Sequence, residues 1–337
     1  MTRKAIGLIL TFVLAGCASS RSDVKTPIPP PPVARAPRYL PEPLDSGLRT
    51  KARDIFIAEA GATDPFLRCN VIEAASNVDP TDAAAIVLKG LSDKQASVRF
   101  AAAVAAGQMK LVDAYEPLLA MANDPNQQVQ AGVLFALHRL GDTRLSHDLE
   151  RLAGSPDPHV RGTTAFVVGL LREPSATKML TTLLSDRSAG VRIQAAEALW
   201  RLGNERGLKD LVAFSISGYP DDQIIALQAI AETGDQRVVQ HLRGQLDNDY
   251  TEVSLAAARG LGELGSDEGW NVAVPAARSK DPRQRSLAAL AMGAIGRSDL
   301  QQYLKDLLAD QEPGVRISAA TAILQLRGSA MARSSAE

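Results

Sequence analysis

Apolar positions recur along most of this chain with a period of 31 residues. Steps of 31 lead through nine anchor positions, most of them apolar: Leu67, Val98, Val129, Val160, Val191, Asp222, Val253, Gln284 and Val315. In each copy the residues 0, 4, 7, 8 and 11 places after the anchor are mostly apolar or small. At about 100° per residue these places share one side of a helix, so each copy predicts an amphipathic helix.

The helix boundaries are marked as well. The pairs Asp64-Pro65, Asp157-Pro158 and Asp281-Pro282 are typical of a helix start, with an N-cap acid followed by proline in the first turn. Five glycines that lie 12 places after their anchors predict helix ends: Gly141, Gly203, Gly234, Gly265 and Gly296.

Leucine-rich stretches between the copies, such as ATKMLTTLLSD (176–186), predict a second helix in each unit. The unit is therefore a helix, a turn, a second helix and another turn. Because one such pair cannot bury its apolar face alone, we predict an all-α protein in which about nine units stack into an α-solenoid.

The phrase VRIQAAEALWRLG, from Val191 to Gly203, resembles the short HEAT-type repeats of phycobilin lyases and of many bacterial scaffold proteins. The resemblance covers about residues 47–327. It implies that the second helix of each pair lines the concave side of the solenoid.

The N-terminus has the layout of a signal peptide, with Arg3 and Lys4, an apolar run over residues 5–14, and then LAGC. LAGC resembles the lipobox of bacterial lipoproteins. The resemblance implies that residues 1–17 are a signal peptide with the lipobox cysteine, and that Cys17 carries the lipid. Ala18 in place of aspartate implies an outer-membrane position facing the periplasm. The alternative is a soluble secreted protein with an incidental cysteine.

Residues 18–46 contain eight prolines and few periodic apolar positions, so we predict an extended tether rather than a folded region. A proline-rich recognition motif is the alternative. The solenoid is predicted over residues 47–327, followed by a disordered tail over 328–337.

Charge and cysteine content narrow the partners. The chain has 37 basic and 38 acidic residues, and removal of the leader takes away two basic ones. A slightly acidic chain does not point to nucleic acid as a partner, although the lipid on Cys17 would attach it to a membrane. With Cys17 acylated, Cys69 has no partner for an internal disulfide.

No catalytic constellation is apparent in the sequence. HEAT-repeat hydroxylases, which resemble this architecture, hold two irons through His-Glu pairs. None of the four histidines here is followed by glutamate. We therefore expect no catalytic residue, metal or cofactor. Two alternatives stay open: a lyase-type accessory enzyme or chromophore-handling protein, in which Cys69 would hold a bilin, and a self-assembling structural protein of the envelope.

Arginines one place after the anchors form a regular series: Arg68, Arg99, Arg161, Arg192, Arg285 and Arg316. Aspartates recur five places before the anchors, as at Asp93 and Asp186. The series could bind an acidic ligand, but structural ion pairs between neighbouring repeats are the favoured interpretation.

A second apolar face lies opposite the core stripe of the repeated helices. We call part of it the apolar strip: Phe100, Val104, Phe135, Phe166 and Trp200, with Arg139 and Arg201 at its edge. Large exposed apolar patches mark interaction sites, so the strip is a candidate groove for a protein or peptide. The alternative is that neighbouring repeats bury it as ordinary core. The function we expect is that of a membrane-anchored, non-enzymatic scaffold or adaptor in the bacterial envelope.

Overall fold

The computed structural model describes residues 46–78, 80–232 and 234–326, and within them the chain forms helices and turns without a strand. Nine first helices alternate with nine second helices along these residues. The first helices are α1 Ser46–Glu59, α3 Pro80–Leu91, α5 Tyr115–Ala120, α7 Asp148–Ala153, α9 Thr177–Leu183, α11 Glu205–Phe214, α13 Val239–Gly244, α15 Trp270–Ala276 and α17 Gln301–Leu307. The second helices are α2 Pro65–Glu73, α4 Ala96–Met109, α6 Gln127–Arg139, α8 Pro158–Leu171, α10 Ala189–Arg201, α12 Pro220–Glu232, α14 Thr251–Glu263, α16 Pro282–Ile295 and α18 Pro313–Gln325. This architecture confirms the all-α solenoid.

The second helices begin 31 residues apart from Pro65 to Pro313, as the sequence period requires. Their predicted N-caps are present. Asp64, Asp157 and Asp281 each accept a hydrogen bond at 2.8 Å from the backbone N–H two residues later, which satisfies a donor that the first turn leaves free.

The ends of the second helices also repeat. The five predicted glycines have positive φ between 70° and 99°, the left-handed conformation in which glycine ends a helix without a Cβ clash. Lys110 and Arg172 stand at the equivalent places of their own repeats and adopt φ of 52° and 58°. The repeat therefore imposes this turn even where the residue is not glycine.

Six of the first helices have only six or seven residues, and four of these follow a 3₁₀ turn, for example Pro174–Ala176 before α9. Each of the eight from α3 to α17 contributes a buried apolar residue at one position of the 31-residue period: Val87, Leu118, Leu149, Leu180, Leu211, Leu242, Ala273 and Leu304. This residue recurs in every one of these eight helices and contributes to packing them on the second-helix layer.

The chain forms two compact units, in which residues 57–215 make the first and residues 216–326, with 46–56, make the second. In the first unit α2, α4, α6, α8 and α10 pack side by side in order, and in the second α12, α14, α16 and α18 do the same. Small residues allow close approach: a Cβ added to Gly169 of α8 would lie 2.7 Å from the Cα of Ala198 in α10.

Three predicted segments fall on parts of the chain without a described structure. Cys17 with its signal peptide, the tether up to residue 45 and the tail over 328–337 all lie outside the described residues. Among the helices that are described, none combines the length and the apolar character that crossing a membrane demands.

Candidate partner-binding surface

A ladder of ion pairs runs along the starts of the second helices. Four arginines of the predicted series each bind, through Nε and Nη2, both carboxylate oxygens of the aspartate 25 residues later: Arg68–Asp93, Arg99–Asp124, Arg161–Asp186 and Arg285–Asp310. The Nε–Oδ2 distances are 2.7–2.8 Å. This bidentate geometry confirms the structural interpretation of these arginines.

Each Arg–Asp pair, which we call a rung of the ladder, also forms hydrogen bonds with the backbone. In the Arg161 rung, Nη1 donates to the carbonyl oxygens of Ser155 and Pro156 at 2.8 and 3.0 Å, and Asp186 accepts from the Ser188 N–H at 2.9 Å. The hydrogen bonds from Arg161 hold the pKa of Asp186 below its usual range, against the opposing effect of partial burial. One arginine thus fixes the turn before its own helix to the turn before the next second helix.

The apolar strip is largely inside the protein. Val104, Phe135 and Phe166 are 0%, 1% and 5% exposed, so the prediction that they face a solvent-filled groove is wrong. Inside each unit, a second helix that lies between two others is covered by them on both sides, and most central positions of the second helices are buried. The alternative stated from the sequence, burial as core, is what the structure shows for these three residues.

Glycines on adjacent helices explain how the aromatic rings are accommodated. A Cβ on Gly107 of α4 would lie 2.7 Å from Cε1 of Phe135 in α6. In the opposite direction, a Cβ on Gly132 of α6 would lie 2.9 Å from Cδ2 of Phe100 in α4. Each ring occupies the space that the missing side chain leaves. The spacing of these glycines relative to the two phenylalanines is the feature of the sequence that could have predicted the burial of the rings.

The predicted position of Arg201, at the edge of a groove, is also wrong. Its Nε and Nη2 donate to Oε1 of Glu197 at 3.0 and 2.6 Å, and the two side chains are 6% and 2% exposed. An arginine buried in an ion pair on its own helix does not line the edge of a groove. Its positive charge instead compensates the negative charge of the buried Glu197 carboxylate.

Three residues of the predicted set keep some access to solvent: Phe100, Arg139 and Trp200 are partly exposed. Arg139 ends α6 and makes no hydrogen bond or ion pair with the described part of the chain. Its neighbour His138 is engaged, because Nδ1 lies 2.9 Å from Oγ of Ser146. Of the predicted partner-binding residues, Arg139 is the one with a charge available to another molecule.

Cys69 lies inside the protein. It is 1% exposed on α2. Burial, with a further effect of nearby Glu73, raises the pKa of its thiol to about 12. Reactive and ligating cysteines need a stabilised thiolate and access to solvent, and Cys69 has neither. The suggested attachment of a bilin to Cys69 therefore has no support from its surroundings.

Across the described ranges, no three His, Cys, Asp or Glu side chains come together as a metal site would require. The described residues include a few exposed large apolar side chains, of which Val112 is 75% exposed and Ile216 and Tyr219, three residues apart, are each 62% exposed. Trp270, at 41%, lies under the guanidinium of Arg297, whose Cζ is 4.9 Å from the ring centroid. Exposed apolar residues in such small numbers are ordinary on a protein surface.

Two solved structures illustrate the likeness to known proteins. The complex of CpcE and CpcF of phycocyanin lyase from Nostoc sp. PCC7120 is 18% identical, with a TM-score of 0.44, over 73% of this chain and 97% of that one. Human deoxyhypusine hydroxylase in complex with glycerol is 17% identical, with a TM-score of 0.38, over 84% and 99%. At these levels the likeness does not transfer a lyase or hydroxylase activity to this chain.

Among curated proteins the sequence has no significant match. The family model of HEAT repeats matches residues 54–138, 145–231 and 239–325, which together make up most of the chain. Each matched segment takes in helix pairs of the kind described above. The protein therefore belongs to the HEAT repeat family.

Proposed function

We propose that this protein is a membrane-anchored scaffold that holds a protein or peptide partner in the bacterial envelope. The observation that carries the proposal is the series of HEAT repeats over residues 54–325, because stacked helix pairs offer the extended surfaces on which repeat proteins bind other chains. The Arg–Asp ladder supports it by fixing neighbouring repeats to one another, so that surface groups keep their spacing.

The anchoring half of the proposal is supported by the LAGC sequence at Cys17. Two or three acyl chains hold a protein stably on a membrane, at about 0.8 kcal/mol for each buried methylene. The proline-rich residues 18–46 would then separate the repeats from the lipid. We propose the outer membrane, facing the periplasm, as the location.

The proposed role is non-enzymatic. A buried Cys69 whose thiol pKa is raised supports this, because it removes the one nucleophile suggested by the sequence. The proposed contact surface is the partly exposed group Phe100, Arg139 and Trp200, which replaces the larger apolar strip.

Photo-crosslinking in living cells tests the scaffold function. A crosslinkable residue at Arg139 should give a discrete adduct with one partner, whereas the same residue at exposed Lys178 on α9 should give none. Adducts that are equal at both positions, or that contain only a second copy of this chain, would contradict the proposal. The second outcome would favour a self-assembling structural protein.

Anchoring is tested separately by the intact mass of the mature chain. The wild type should start at Cys17 and carry lipid, and Cys17→Ser should remain an unprocessed precursor. A mature chain that starts elsewhere without lipid would refute the anchor but would leave the scaffold function open.

A further inference from the structure

One arginine of the ladder lacks its aspartate. Where the residue one place after the anchor is not arginine, the position 25 residues later is not aspartate either: Gln130 goes with Ser155, Gln223 with Asn248 and Ser254 with Ser279. Arg192 alone breaks this correspondence, because the residue 25 places later is Ser217. The sequence has no position 25 places after Arg316, so that arginine offers no comparison.

The backbone half of the Arg192 rung is formed as in the others. Nη1 donates to the carbonyl oxygens of Asp186 and Arg187 at 2.9 and 3.1 Å. In Arg161 the equivalent bonds go to Ser155 and Pro156 at 2.8 and 3.0 Å. The guanidinium of Arg192 is therefore held in the ladder orientation.

The carboxylate half of the rung is open. In Arg161, Nε and Nη2 donate to the two oxygens of Asp186 at 2.7 and 2.8 Å. The same two nitrogens of Arg192 have no acceptor within the described part of the chain. The neighbouring carboxylate of Asp186 is already taken by Arg161 and the Ser188 N–H.

An aromatic ring lies beside the guanidinium of Arg192. The Cζ of Arg192 lies 5.7 Å from the ring centroid of Phe214, which ends α11 and is partly exposed. Stacking on an aromatic face steadies a guanidinium without using its in-plane donors. Two parallel N–H donors on a fixed, partly exposed guanidinium match the geometry of a carboxylate.

We propose that Arg192 is a binding site for a carboxylate of a protein partner, supplied by an aspartate or glutamate side chain or by a C-terminus. The incoming oxygens take the place that Asp186 takes on Arg161, and Phe214 contacts the carbon chain that carries them. This assignment adds partner chemistry to the proposed scaffold function, but the test below uses a small molecule and does not depend on that function.

The test is an NMR titration of the full chain labelled with ¹⁵N-arginine. The probe is the N-methylamide of N-acetyl-aspartate, and the matching asparagine compound is the neutral control. The Nε–H signal of Arg192, assigned by its loss in Arg192→Lys, should shift saturably with the aspartate compound only. Arg99 and Arg161, whose donors are occupied, should not respond.

A gain-of-site variant provides a positive control. Asp124→Ser should free Nε and Nη2 of Arg99, so that Arg99 now responds to the probe as Arg192 does. Circular dichroism shows whether this variant keeps its helices, and Asp310→Ser, which frees Arg285, is the second variant if it does not.

Three results would overturn the assignment. They are the absence of a saturable Arg192 shift, equal shifts at all ladder arginines, and a response to inorganic phosphate without one to the carboxylate probe.

Discussion

Glu73 in α2 and Glu197 in α10 occupy the same place in their repeats, six residues after the anchor, and both are buried. Glu197 receives two hydrogen bonds from Arg201, one turn later on the same helix. Within the described residues neither carboxyl oxygen of Glu73 has a hydrogen-bond partner, and the residue four places later is Asn77. Of these two glutamates, the one with an arginine one turn later on its helix forms an ion pair.

The two environments lead to different chemistry for the same side chain. Burial raises the pKa of Glu73 well above its ordinary value, since the charged form has lost its water without gaining a counter-ion. Glu197 keeps an ion pair, whose attraction offsets part of the desolvation that both groups undergo. The contrast separates the effect of burial from the effect of pairing inside one fold.

The largest expected effect comes from breaking the pair. Arg201→Leu keeps much of the arginine's apolar volume but removes the ion-pair partner of Glu197, and we expect the free energy of unfolding to fall by about 3–5 kcal/mol. The double variant Glu197→Leu with Arg201→Leu is the matched control and should lose far less, since no charge is left behind. Urea unfolding measures both. A loss below about 1 kcal/mol in Arg201→Leu would show that the pair does not carry the buried charge.

Glu73→Leu should have the opposite sign. It removes a buried carboxyl group without a partner from a column that holds Val104, Phe135 and Phe166 in the next repeats, so we expect a gain of about 1–3 kcal/mol. Glu197→Leu alone should destabilise, because it leaves Arg201 without its carboxylate. If both single variants changed stability in the same direction, the comparison between the two positions would fail.

The pH dependence of stability gives a smaller but more specific signature. The folded-state pKa of Glu73 is raised above its ordinary value of 4.5, so its contribution is fully present below that pH and is lost as pH rises through the folded-state pKa. The stability of the wild type relative to Glu73→Gln should therefore fall with increasing pH above about 4.5. Unfolding both proteins in urea across this range is the measurement, and a constant difference would contradict a raised pKa.

Asp186 serves as an internal reference, because the pH dependence of its contribution to stability should have the opposite sign. Its pKa is lowered, mainly by hydrogen bonds from Arg161, so its contribution is present above the unfolded-state pKa and is lost as pH falls through the folded-state value. Asp186→Asn should therefore remove stability at neutral pH and converge with the wild type in acid. Curves that stay parallel down to the acid limit would show that this rung is not an ion pair.

The sequence predicted whatever depends on the helix period. The starts at Pro65, Pro158 and Pro282, the left-handed glycines and the partners of Arg68 and Arg161 all follow from a count of 31. These features are local, or they join each repeat to the next at a fixed offset, and one repeated phrase is enough to specify them.

The exposure of individual side chains could not be predicted from the 31-residue period. The helical pattern assigns one face to the core, but a second helix such as α6 contacts neighbours on both sides, and Phe135 is buried against a glycine one repeat away. The unpaired state of Glu73 likewise depends on what surrounds it, not on its place in the period. Burial at this level is a property of the stack and not of the helix.

The smallest effect extends the comparison of equivalent positions to the helix ends. Lys110 and Gly141 close successive second helices with φ of 52° and 99°, although only glycine adopts this conformation without a penalty. A left-handed residue with a Cβ costs about 1–2 kcal/mol, and the greater freedom of glycine in the unfolded chain cancels part of that gain. We therefore expect Lys110→Gly, and equally Arg172→Gly, to raise the free energy of unfolding by about 0.5–1 kcal/mol. Lys110→Ala is the control and should not stabilise, because it removes the lysine chain but keeps the Cβ. Differential scanning calorimetry on the three variants measures the effect. If Lys110→Ala matched Lys110→Gly, the gain would come from the loss of the lysine side chain and not from relief of the backbone.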